Sequence, residues 1–261
     1  MKNILDSFLD YALEWVNVTI SDPSEKETLI QQIEDVPRAV YGNIAQDDDD
    51  SLDDFLKCIY LNVHGDCCGE HEWNGLDSLK YFFPLDPMDE AHQREYLEFK
   101  QKWECPPQII VDPISVESIV KDFKIFLSLL LLLSVHYHDL LLDAKNQKKK
   151  LDNGNEIIEN HFRKSIIGDG YAEVFLPLWL MAREKVFDGS WDVKEYFSLL
   201  QTFEIFIYNI YVKAGEPKGS MSAMFYGYAN EWVDKVDGNL ATMLMIQMSI
   251  FGGLEPVTEF L

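Results

Sequence analysis

Apolar residues recur every three or four positions along most of this chain. Ile4, Leu5, Phe8, Leu9, Ala12, Leu13 and Val16 make one such stripe, which a helix of 3.6 residues per turn gathers on a single face. Ser21-Asp22-Pro23-Ser24 then predicts a stop and a restart. Asp22 suits the N-cap, and Pro23 the first helical position, where its missing N–H goes unused. Leu29, Ile30, Ile33 and Val36 continue on one face until Pro37, a residue that bends or breaks a helix. Residues 46–54, QDDDDSLDD, read as a polar connection. A third helix follows with Leu52, Phe55, Leu56, Ile59 and Tyr60 as its apolar face.

Residues 64–74, HGDCCGEHEWN, lack periodicity and read as a loop. A short helix over 79–83 ends at Pro84, and another runs from Pro87 to about Trp103, where Cys105-Pro106-Pro107 stops it. Residues 108–112, QIIVD, are the one short extended segment. A long helix occupies about 115–145, followed by the Lys-rich loop NQKKKLDNGN. Further helices are expected near 156–166, 171–187, 192–213, 220–236 and 239–251, separated by short Gly-, Asp- and Pro-rich links. The fold class is therefore all-α, a multi-helix globular bundle of about ten helices with little or no sheet. The Pro-bounded stretch 106–113 is the candidate boundary between an acidic helical region, 1–112, and an apolar helical region, 113–261, with one shared core.

The leucine run IFLSLLLLLSV, residues 125–135, has Lys121, Asp122 and Lys124 before it and His136, His138 and Asp139 after it. A membrane span needs roughly 20 apolar residues, so the run reads as a core helix, apolar all round because protein surrounds it. Asp6, Asp10 and Glu14 interrupt the first apolar stretch, unlike a secretory signal. With 261 residues, 47% hydrophobic and 13% aromatic, the chain can bury a sizeable core. Four cysteines make no disulfide framework, and a reducing cytoplasm is the expected compartment.

Charge sharpens the picture. Residues 1–118 hold 26 acids and 8 bases, a net of −18. Residues 119–261 hold 19 and 14, a net of −5, and together these make the −23 of the whole chain. Such a surface repels nucleic acid and anionic lipid and attracts a cationic partner. Its densest point is Asp47, Asp48, Asp49, Asp50, Asp53 and Asp54, six carboxylates in eight residues. A calcium hand-loop needs a central Gly and a terminal Glu that are absent here. A solvated loop explains the run, as does an electrostatic contact for a basic protein, and part of the charge suits a helix N-terminus. Asp66, Glu70 and Glu72 in the following loop extend the candidate partner-binding set.

Two other constellations could carry chemistry. Cys58, His64, Cys67, Cys68 and His71 supply zinc-type ligands, but they are too crowded for a relaxed tetrahedral shell, and a polar loop with one buried cysteine is the simpler explanation. His136, His138 and Asp139, with Asp143 a turn on, could bind a metal or act as general acid and base. A helix end emerging into solvent explains them without chemistry. No phosphate loop, dinucleotide fingerprint, GxSxG elbow or HExxH is present. These residues carry no family resemblance. The profile is that of a non-catalytic acidic protein that neutralises a basic partner, an immunity or antitoxin type of inhibitor of a toxin such as a nuclease. No cofactor, direct nucleic-acid contact or membrane is expected. The alternatives are a DNA-mimic inhibitor of a nucleic-acid-binding enzyme and a metal-dependent helical enzyme using His136, His138 and Asp139.

Overall fold

The computed structural model describes residues 2–64, 73–85, 94, 116–143, 147–152, 154–168, 170–215, 225 and 229. Among these residues the fold is all-α, with eight α-helices and two π-helical stretches and no strand. Apart from residues 94, 225 and 229, which are helical, the expected helices over 87–103, 220–236 and 239–251, the extended segment 108–112 and the boundary stretch 106–113 lie outside the described residues. The chain divides into two compact units, Met1–Tyr137 and His138–Leu261.

In the first unit, α1 (Ile4–Thr19) begins where the Asn3 side chain accepts from the Asp6 amide, and it buries Leu5, Phe8, Leu9, Ala12, Trp15 and Val16. Helix α2 (Pro23–Tyr41) has Asp22 as its N-cap, accepting from the Glu25 amide, and Pro23 in its first turn. Pro37 lies inside the helix and does not break it. Leu29, Ile33, Val36 and Val40 bury one continuous face across the proline, and that burial offsets the lost backbone hydrogen bond.

Helix α3 (Asp49–His64) starts three residues before the expected apolar face. Helix α4 (Leu76–Phe82) follows Gly75, whose φ of +54° places it in the left-handed region. A Cβ there would stand 2.9 Å from Ile4 Cδ1, so glycine lets the start of α4 close onto α1. Helix α5 (Val116–Tyr137) holds the leucine run. The core between α1, α5 and the end of α4 is aromatic. Trp15 lies 4.3 Å from Phe123 and 6.2 Å from Phe83 between ring centroids, and Phe8 lies 5.3 Å from Phe126.

By length and composition the helical stretch Glu117–Leu142 could cross a membrane, and 56% of its most apolar part is buried inside the protein. The leucine run is not buried on every side, as the sequence suggested. Leu127, Leu130 and Leu133 are inaccessible, whereas Leu132 is 46% exposed. On the packed side, Asn43 Nδ2 donates to Ser134 Oγ at 2.9 Å and to Ala39 O at 2.7 Å, tying the end of α2 to α5. Lys124 pairs with Glu25 between the same two helices.

The second unit opens with a π-helical stretch, π1 (His138–Leu142), closed by Asp143 N–H donating to His138 O at 2.9 Å. Three α-helices follow: α6 (Asn155–Gly168), α7 (Ala172–Phe187) and α8 (Val193–Phe206). Asp192 and Glu195 form a capping box on α8, which satisfies two otherwise orphaned amides. A second π stretch, π2 (Ile207–Lys213), completes the helix expected over 192–213. Phe175 packs 4.5 Å from both Phe203 and Phe225, and Phe206 lies 4.9 Å from Phe225.

Candidate functional site

The acidic run is split by the fold between structural work and solvent. Asp48 Oδ1 accepts from the Ser51 amide at 3.1 Å, the geometry of an N-cap. Asp49 and Asp50 fill the first turn of α3, where carboxylates favour the positive end of the helix dipole. Asp53 Oδ2 accepts from Trp73 Nε1 at 3.0 Å. Asp47, Asp49, Asp50 and Asp54 are exposed. The expectation of a polar connection through residue 54 is thus corrected. The helix begins inside the run because Asp48 caps it.

Further acid gathers at the same end of the first unit. Tyr41 Oη donates to Asp6 Oδ1 at 2.6 Å and also bonds Asn3 Oδ1 at 3.1 Å. Burial pushes the Tyr41 phenol up to about 12, with the Asp6 hydrogen bond and the charges of Asp6 and Asp49 adding to it. Asp6 on α1 and Asp49 on α3 therefore share one neighbourhood. Asp66, Glu70 and Glu72 lie outside the described residues.

Of the Cys/His constellation, Cys67, Cys68 and His71 also lie outside the described residues. Cys58 is buried and unbridged. Burial first, and the Asp54 charge second, raise its thiol well above the ordinary value, which suppresses the thiolate that would bind a metal. Among the described residues no three His, Cys, Asp or Glu side chains gather as a metal shell.

The segment at the end of α5 does not emerge into solvent. His136 and Asp139 are fully buried. The Asp139 carboxylate accepts from the Lys148 and Lys149 amides, both at 2.8 Å, and lies 3.0 Å from His138 Nδ1. Arg183 Nη1 stands 3.4 Å from Asp139 Oδ2. Burial alone would push this carboxyl up. The hydrogen bonds from His138 and the two amides, with the Arg183 charge, outweigh it and hold Asp139 below its ordinary value. A carboxylate so occupied has its oxygens turned to the protein's own donors.

Sequence reasoning missed the rest of this cluster. Arg183, wholly buried on α7, donates from Nε to Glu159 Oε1 at 2.9 Å and from Nη2 to Lys149 O at 2.6 Å. Tyr196 Oη donates to the same Glu159 oxygen at 2.6 Å and accepts from Trp179 Nε1 at 2.7 Å. Burial opposes the Arg183 charge, and the Glu159 carboxylate restores it. The signal was present in the sequence. Arg183 falls on the stripe of Leu176, Trp179 and Leu180, and Glu159 on that of Phe162 and Ile166. Charges on apolar stripes call for buried partners.

A third feature is an open groove of about 540 Å³ on the first unit, between α1 and α4. Tyr11, Glu14, Asp77, Lys80, Tyr81 and Pro84 line it. Its floor is fixed by Tyr11 Oη bonding Phe83 O and by Trp15 Nε1 donating to Pro84 O at 2.9 Å. Burial, then the Glu14 charge, pushes the Tyr11 phenol up to about 12.

Compared with known proteins, the chain matches no family model, no curated protein and no solved structure.

Proposed function

We propose that this protein binds and neutralises a basic protein partner, in the manner of an immunity or antitoxin inhibitor of a cationic toxin such as a nuclease. The observation that carries the reading is the concentration of acid in the first part of the chain, −18 against −5, together with exposed Asp47, Asp49 and Asp50 at the start of α3. A nuclease is basic because it holds phosphates. Complementary carboxylates on its inhibitor accelerate encounter and reject acidic competitors. The cytoplasm is the compartment in which such a protein would meet its partner before export.

The DNA-mimic alternative asks for carboxylates free to stand in for phosphates, and Asp48 and Asp53 are instead committed to the Ser51 amide and the Trp73 indole. The metal-enzyme alternative gains no support from Asp139, whose oxygens already face His138, Arg183 and two amides.

Affinity capture from the native host tests the reading, with wild-type protein and an Asp47→Asn/Asp49→Asn/Asp50→Asn variant as baits. The expected result is a basic protein retained by the wild type and depleted on the variant. Capture of no basic protein by either bait would overturn the proposal.

A further inference from the structure

We propose that the groove between α1 and α4 is the seat of an arginine side chain from the basic partner, with the Tyr11 ring face and the Glu14 and Asp77 carboxylates as its receptors. The inference rests on the proposed function above and adds a location that the acidic run does not supply.

Three observations converge on a guanidinium. First, two tyrosines and Pro84 give the groove planar apolar surface, while Glu14 and Asp77 are both exposed and carry negative charge at its edges. A flat, weakly hydrated cation satisfies such a mixed lining: its face stacks on a ring and its N–H fork meets carboxylate. Second, the Tyr11 ring already receives a cation. Lys80 Nζ lies 5.6 Å from its centroid, so the ring is open to positive charge in the folded protein. Lys80 is exposed, and its flexible stem lets it swing aside for a competitor. Third, the site is pre-formed. The Tyr11–Phe83 and Trp15–Pro84 hydrogen bonds pin the backbone after α4 to α1, and Trp15 and Phe83 beneath it are fully buried. A receptor held this way loses little freedom on binding, which is the setting in which tyrosine–arginine contacts dominate an interface. Lys80 is thus an internal placeholder, and removing it should favour the incoming arginine.

The test titrates the full-length protein with hexa-arginine and hexa-lysine peptides at physiological ionic strength. Each groove variant is paired with a charge-matched control. Glu14→Gln/Asp77→Asn is compared with Asp47→Asn/Asp50→Asn, and Lys80→Met with Lys26→Met. All the substituted side chains lie at the surface or half-buried, and thermal unfolding alongside wild type checks each variant. The expected result is hexa-arginine bound in preference to hexa-lysine, with the groove pair weakening it by about threefold or more. Lys80→Met should tighten binding beyond Lys26→Met, and the Tyr11 ring resonances should shift on titration. Equal weakening by both double variants, with no shift at Tyr11, would overturn the groove site and leave the acidic-partner reading standing. Loss confined to the Asp47→Asn/Asp50→Asn variant would do the same. No peptide binding by wild type would overturn both.

Discussion

Arg183 Nε lies 2.9 Å from Glu159 Oε1, and neither side chain has any exposure to solvent. Taking both charges out of water is expensive, and the pair is supported by Tyr196 donating to the same Glu159 oxygen and by the Lys149 carbonyl and Asp139 on the guanidinium. The same contacts knit α6, α7, α8 and π1 together in the second unit. Replacing one partner strands the other. We expect Arg183→Met to cost about 3–5 kcal/mol of stability. The double replacement Arg183→Met/Glu159→Gln should recover part of that loss, because it removes the orphaned charge. Chemical denaturation of the three proteins measures this, and a loss under about 1 kcal/mol for Arg183→Met would contradict it.

Asp139 adds an acid-side dependence. Its carboxyl is held below the ordinary value of 3.8 in the folded protein. Its contribution is therefore fully present above that ordinary value and is lost as pH falls through the depressed folded one. Asp139→Asn should lower stability at neutral pH and flatten the decline in acid. Unfolding curves from neutral pH down to about pH 3 supply the check, and an unchanged acid limb in the variant would show that Asp139 does not contribute to it.

On the alkaline side the sign reverses. Tyr11 and Tyr41 are raised from 10.0 to about 12, so the folded state keeps both protons where the unfolded state has lost them. Stability from these two phenols is complete below pH 10 and disappears as pH rises through about 12. Phenolate absorbance during an alkaline titration should show these groups ionising late. Tyr41→Phe should reduce the late fraction. Ionisation of Tyr41 with the bulk of the tyrosines would be inconsistent with its hydrogen bond to Asp6.

Within the acidic run, position decides effect. Asp48→Ala removes the cap of α3 and should cost about 1 kcal/mol. Asp47→Ala leaves no such cap unmade and should change stability by less than about 0.5 kcal/mol. Paired melting curves distinguish them, and equal effects would mean that the capping contact is not what orders the run.

Much of this fold was legible from periodicity and caps. The stripe of α1, the Asp22–Pro23 start of α2 and the Asp192 start of α8 all follow from local chemistry, and local chemistry is what sequence displays. Three features were not legible, for physical reasons. Pro37 is tolerated because the buried face of α2 runs through it, a tertiary effect. The π stretches at 138–142 and 207–213 shift hydrogen bonds from the fourth to the fifth residue while barely disturbing the apolar pattern. Arg183 reads as a surface charge until it is set on the stripe of Leu176 and Trp179, and its partners come from elements 24 and 44 residues earlier. Of the candidate site, the run at 47–54 was visible as composition. The groove was not, because Tyr11 and Glu14 lie just beside the α1 stripe and meet Lys80 only through folding.

The most direct test of the acidic-partner reading is the association rate with the captured basic protein, followed as salt rises from low to physiological concentration. Wild type should associate quickly and slow steeply with salt. Asp47→Asn/Asp49→Asn/Asp50→Asn should start slower, with a shallower slope and a nearly unchanged dissociation rate. An association rate indifferent to salt, and the same in wild type and variant, would contradict the claim that this surface captures its partner by charge.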